Sequence, residues 1–164
     1  MKLKGKVLKY GDDVNTDVIF PGRYTYKNLS PEEMASHAME DLDPEFKNKV
    51  QPGDIIFAGK NFGMGSSREQ AVLALKYAGI SAIVAKSFAR IYYRNCINAG
   101  LPAIELPEAV DSVKEGDQVE IDLEKGQVKT PAGVFQFPPF PGKVREILQA
   151  GGLIPYTRKK LGIS

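Results

Sequence analysis

The chain of 164 residues has the length of one domain, and its 43% apolar and 26% charged residues are typical of a globular protein. With 22 basic against 20 acidic side chains, the net charge of +2 leaves no electrostatic footprint for nucleic acid or an anionic membrane. No apolar run nears the roughly 20 residues of a membrane span and the first residues carry no signal-peptide stretch, so a cytoplasmic location is expected. The single cysteine, Cys96, and single histidine, His37, exclude an internal disulfide and any Cys-rich zinc or iron–sulfur site built from this chain alone. They leave almost no room for a Ser-His-Asp triad or a two-histidine metal centre, and no metal ligand is assigned.

In chain order, residues 2–10 alternate apolar and basic side chains and are predicted to form a half-exposed strand. After the turn at Gly11-Asp12-Asp13, residues 14–20 read as a second extended stretch, stopped by Pro21-Gly22. Residues 23–29 show no period and read as a loop. Ser30-Pro31-Glu32-Glu33 combines an N-cap serine, proline at the first helical position and a capping-box glutamate, so a helix carrying Met34, His37 and Ala38 follows, fading near Glu40 and Asp41.

Residues 55–58 form a short apolar run of the kind buried on both faces of a sheet. A helical pattern through Val72, Leu75 and Tyr77 ends at Gly79. Residues 81–85 read as another buried strand. Phe88, Ile91, Tyr92 and Cys96 make a helical stripe ending at Gly100, and residues 101–106 return as a strand. This alternation predicts parallel strands joined by right-handed helical crossovers. Residues 119–123 and 127–130 read as an antiparallel hairpin, Val134 to Phe137 precedes Pro138-Pro139, and a last helix over 144–148 closes at Gly151-Gly152. Thr157-Arg158-Lys159-Lys160 reads as a solvated basic end. The expected architecture is a mixed α/β domain spanning residues 1–164 with an antiparallel appendage.

Chemistry concentrates in Gly63-Met64-Gly65-Ser66-Ser67-Arg68-Glu69, between a buried strand and a helix. Two glycines let a ligand approach the main chain, a helix N-terminus attracts an anion, and Arg68 offers a fork suited to a carboxylate. The same residues also read as a capping box, Ser66 with Glu69 or Ser67 with Gln70, worth about 1 kcal/mol. The spacing matches neither a Walker loop nor a dinucleotide fingerprint. His37 and Cys96 read as a helix-edge residue and a buried small hydrophobe. Arg90 and Arg94 read as surface or interface groups.

Residues 59–71, Gly59-Lys60-Asn61-Phe62 onward through Ser66-Ser67-Arg68-Glu69-Gln70-Ala71, resemble the signature of the swivelling domain of the aconitase superfamily. Lys86-Ser87-Phe88-Ala89-Arg90-Ile91-Tyr92 resembles a second block of that family, and Asp13-Val14-Asn15-Thr16-Asp17-Val18-Ile19 a third. Many relatives have cysteine where this chain has Met64. The resemblance implies a layered β/β/α swivelling domain acting as the free-standing small subunit of a two-chain hydro-lyase. A large subunit would hold a four-iron iron–sulfur cluster, with no cofactor on this chain. By the same resemblance Ser66 is the base that removes the proton beside a carboxylate, Asp17 an active-site carboxylate, and Ser67 and Arg68 contacts to the substrate carboxylate.

The loop holding Tyr24 and Tyr26 is associated in such subunits with choice among 2-hydroxy diacid substrates. Relatives acting on the longer homoaconitate often carry arginine where this chain has Tyr26. An aromatic edge suits an isopropyl group, whereas an unpaired carboxylate in a closed site costs several kcal/mol, so isopropylmalate is favoured over homoaconitate. Tyr24 reads equally as a substrate contact or as packing for its loop. A non-catalytic module that captures small carboxylates on the same fold is the alternative of a different class.

Overall fold

The computed structural model describes residues 1–66 and 68–162. β1 (Lys2–Lys9) leads to a short helix α1 (Thr16–Ile19), a 3-10 turn at Gly22–Tyr24, and helices α2 (Pro31–His37) and α3 (Phe46–Lys49). Then β2 (Ile55–Ala58), α4 (Gln70–Tyr77), β3 (Ala82–Ala85), α5 (Arg90–Asn98) and β4 (Ala103–Glu105) alternate, followed by α6 (Pro107–Ser112). β5 (Gln118–Asp122), β6 (Gln127–Thr130) and β7 (Gly133–Gln136) precede α7 (Gly142–Ala150) and α8 (Leu153–Lys160). Among the described residues the strands form one sheet in the order β4-β3-β2-β1-β5-β6-β7.

The alternating middle does pair in parallel: β1 with β2, β2 with β3, and β3 with β4. All four residues of β2 and of β3 are buried, because this half of the sheet is covered on both faces. Side chains of successive residues enter opposite cores. Ile56, Ala58, Ile83 and Ala85 meet Phe62, Val72, Leu75 and Tyr92 on one face. Ile55, Phe57, Ala82 and Val84 meet Val110, Val119, Ile121 and Leu148 on the other. The hairpin of β5 and β6 forms as expected, and β7 adds a third antiparallel strand. It is not an appendage, since β5 pairs with Lys2 to Lys6 of β1 and so continues the sheet.

Two segments depart from the sequence expectation. Within residues 14–20 Asn15 and Phe20 are extended, but Thr16–Ile19 is helical: Asn15 caps α1, its Oδ1 accepting from Val18 N at 3.0 Å, and the amide of Thr16 donates to Met64 O at 2.9 Å. Those bonds override the strand preference of Val14, Thr16, Val18 and Ile19. The basic tail is α8, an exposed helix without one buried residue, packed beside α7. Elsewhere the capping box of α2 is complete, with Ser30 Oγ accepting from Glu33 N and Glu33 Oε1 accepting from Ser30 N. Among the described residues no helix is long and apolar enough to cross a membrane.

Candidate active site

Three loops leave the C-terminal ends of β1, β2 and β3 side by side, the edge at which open parallel sheets present their ligand sites. Backbone bridges lock them together. Asn15 pairs with Met64 and Phe62 with Phe88, Gly63 N donates to Val14 O at 2.7 Å, and Ala89 N donates to Phe62 O at 2.9 Å. The chain between β2 and α4 makes its corner at two left-handed glycines, Gly63 with φ 84° and Gly65 with φ 101°. At Gly63 a Cβ would lie 2.1 Å from Cγ of the buried Tyr92 ring, so glycine is demanded by space as well as by dihedral.

Past that corner Ser66 is exposed, and its carbonyl accepts from Thr16 Oγ1 at 2.8 Å. Arg68 turns back toward α1 with its side chain only 12% exposed. Its Nη2 donates to Asp17 Oδ1 at 2.7 Å and to the Phe20 carbonyl at 3.1 Å, while Nη1 donates to Thr25 Oγ1 at 2.7 Å. Its Nε–H is buried and has no acceptor among the described residues, an unmet donor of the kind that costs about 1–3 kcal/mol. Ser66, Asp17 and Arg68 therefore share one corner. Ser67 lies outside the described residues.

The helix after the corner starts later than a Ser66–Glu69 capping box predicts. α4 begins at Gln70, its N-cap is Glu69, and no side chain caps it. The helix terminus therefore stands four residues beyond Ser66.

The two tyrosines of the following loop separate. Tyr26 is 99% exposed. Tyr24 is folded inward: its ring stacks on His37 with centroids 3.9 Å apart, and its hydroxyl donates to Glu40 Oε1 at 2.7 Å. Arg23 pairs with Asp41 at 3.0 Å and also reaches Glu40, while His37 Nδ1 lies 2.8 Å from Glu40 Oε2. Burial alone would raise the Glu40 carboxyl; hydrogen bonds from His37, Tyr24 and Arg23 outweigh it and hold the group below its ordinary value. Thr16, Thr25 and Glu40 carry no motif, and the sequence reading missed all three. Thr25 had one faint signal, its place between the two tyrosines.

No group of three His, Cys, Asp or Glu side chains fit to hold a metal comes together among the described residues. Cys96 is fully buried under Tyr92, burial pushes its thiol well above the ordinary value, and His37 is committed to Glu40 and Tyr24. These donors do not fit an iron–sulfur cluster.

Residues 15–109 match the family described as the aconitase C-terminal domain. A 3-isopropylmalate dehydratase small subunit from Halothermothrix orenii is 57% identical over 94% of both chains. One from Caldanaerobacter subterraneus subsp. tengcongensis is 54% identical over 97% of this chain and 99% of its own. The crystal structure of 3-isopropylmalate dehydratase (LeuD) from Methanocaldococcus jannaschii superposes with a TM-score of 0.91 at 50% identity, covering 98% of this chain and 96% of that one. The chain belongs to the aconitase C-terminal domain family, within its hydro-lyase branch of 3-isopropylmalate dehydratase small subunits.

Proposed function

We propose that this chain, acting as one unit over its 164 residues, brings the proton-accepting and carboxylate-binding groups to a large subunit. Together they would interconvert 2-isopropylmalate and 3-isopropylmalate through isopropylmaleate in leucine biosynthesis. The observation that carries this reading is the exposed Ser66, two residues from a guanidinium whose Nε–H has no acceptor among the described residues, at a corner held by three interlocked loops.

Ser66 Oγ accepts the proton from the carbon beside a substrate carboxylate as the neighbouring carbon loses hydroxide, and water adds back in the opposite sense. A serine hydroxyl needs its anion stabilised to act as a base, and Arg68 is the cation at hand. Arg68 also grips the carboxylate: its buried Nε–H, which has no acceptor among the described residues, is a donor that a substrate oxygen would satisfy as the site closes. Asp17, 71% exposed on α1, holds the guanidinium from one side and faces outward. Ser67 is assigned as a second carboxylate contact by family resemblance. Tyr26 stands free to meet the isopropyl group; Tyr24 supports the loop behind it. In this reading the iron–sulfur cluster would be held by the large subunit and would supply Lewis-acid chemistry, with no ligand from this chain.

Mixing the purified chain with a cognate large subunit and assaying isopropylmaleate tests the proposal. Turnover that requires both chains is expected. Turnover by either chain alone, or a reconstituted pair that acts on homoaconitate and leaves isopropylmalate untouched, would overturn it.

A further inference from the structure

We infer that Thr25 is a positioning residue that sets the plane of the Arg68 guanidinium, so that the substrate-choice loop and the carboxylate grip move as one body. The inference rests on the reading of Arg68 as a carboxylate contact.

Asp17 by itself cannot fix that plane. Its carboxylate meets Arg68 through one Nη2 contact and is 71% exposed, which leaves a solvated, single-point pairing free to pivot. The Phe20 carbonyl shares Nη2 with Asp17, at 3.1 Å, so the orientation comes from the other side of the fork, where Thr25 Oγ1 takes Nη1 at 2.7 Å. Two acceptors on different nitrogens define a plane, as one does not.

Thr25 is itself held twice through its backbone. Its amide donates to Gly22 O at 3.1 Å, and its carbonyl accepts from Gln70 Nε2 on α4 at 3.3 Å. The turn fits closely around the ion pair. A Cβ on Gly22 would lie 3.2 Å from Asp17 Oδ1 and 3.7 Å from Arg68 Nη1. Because Thr25 lies between inward Tyr24 and outward Tyr26, any shift of the loop reaches Arg68 through this hydroxyl. A long, flexible arginine gains most from such pre-organisation where geometry decides binding.

The test is steady-state kinetics on the complex with its large subunit, comparing Thr25→Val, Thr25→Ser and Arg68→Lys. Thr25→Val keeps the shape and loses the acceptor. It is expected to raise KM for isopropylmalate about tenfold with kcat within about threefold, the signature of lost binding common to ground and transition states. Thr25→Ser should restore KM to within about threefold of the parent. In an Arg68→Lys background, Thr25→Val should add less than about twofold, since the two act through one contact. Thr25→Val with KM within twofold of the parent, Thr25→Ser as damaged as Thr25→Val, or full multiplication of the two defects would each overturn the inference. Arg68→Lys alone leaving kcat/KM unchanged would instead overturn the carboxylate reading beneath it, and the inference with it.

Discussion

The parallel and antiparallel halves of the sheet obey different burial rules, and only one of them carries the candidate site. β2 and β3 are buried throughout, with a core on each face. β5 alternates buried with exposed or half-exposed positions, and no residue of β7 is fully buried. A doubly covered strand ends in loops that have nowhere to drift, because each is hydrogen-bonded to the loop of the next strand. The antiparallel strands are joined by tight turns whose tips, Glu124-Lys125 and Pro131-Ala132, are exposed, while Leu123 turns into the second core. Precision at Ser66, Asp17 and Arg68 is therefore bought by the parallel half, whereas the antiparallel half completes the second core.

Substitutions can sharpen this contrast. The largest effect is expected at Gly63, where alanine combines a left-handed φ with a clash against the buried Tyr92 ring. Gly63→Ala should destabilise the chain by about 3 kcal/mol or more in denaturant unfolding. A loss under about 1 kcal/mol would mean that the interlocked loops are loose.

Next comes Tyr26→Arg, which leaves the fold alone because the side chain is wholly exposed. In the complex it should move kcat/KM toward the longer homoaconitate by about tenfold relative to isopropylmalate, or about 1.4 kcal/mol. An unmoved ratio would remove Tyr26 from substrate choice.

Glu40→Gln should cost about 1 kcal/mol at neutral pH by weakening the clamp on Tyr24, Arg23 and His37. Folding lowers the Glu40 pKa, so its stabilisation is complete above the unfolded value near 4.3 and is lost as the pH falls through the lower folded value. The stability gap between parent and variant should therefore narrow steadily as the pH falls below the unfolded value. A gap that did not narrow on acidification would show that charge is not its source.

Smallest is Val134→Ala on β7, a side chain 54% exposed, expected to change stability by less than about 0.5 kcal/mol. A larger loss would show that the antiparallel edge is packed more tightly than its exposure indicates.

What the sequence revealed followed the reach of the interactions. The α2 capping box was legible because its bonds span three residues, and β2 and β3 because a continuous apolar run leaves few alternatives. The Ser66–Arg68 corner was legible as a block of residue types. α1 was not, since its β-branched composition points to strand and the Thr16–Met64 bond that decides otherwise crosses the loops. α8 has no apolar stripe to announce it. Thr25 reaches Arg68 across 43 positions and Tyr24 reaches Glu40 across 16, so neither partnership leaves a trace in local pattern.

The central claim is that this chain contributes a reactive hydroxyl to a centre completed by another subunit. The most direct measurement is the turnover of Ser66→Ala in the reconstituted complex, with unfolding of the isolated variant as control. Ser66 is exposed, so the variant should unfold with the parent. Its kcat should fall at least about a hundredfold, the contribution expected of a positioned general base. A folded Ser66→Ala complex that turns over within a few-fold of the parent would contradict the account.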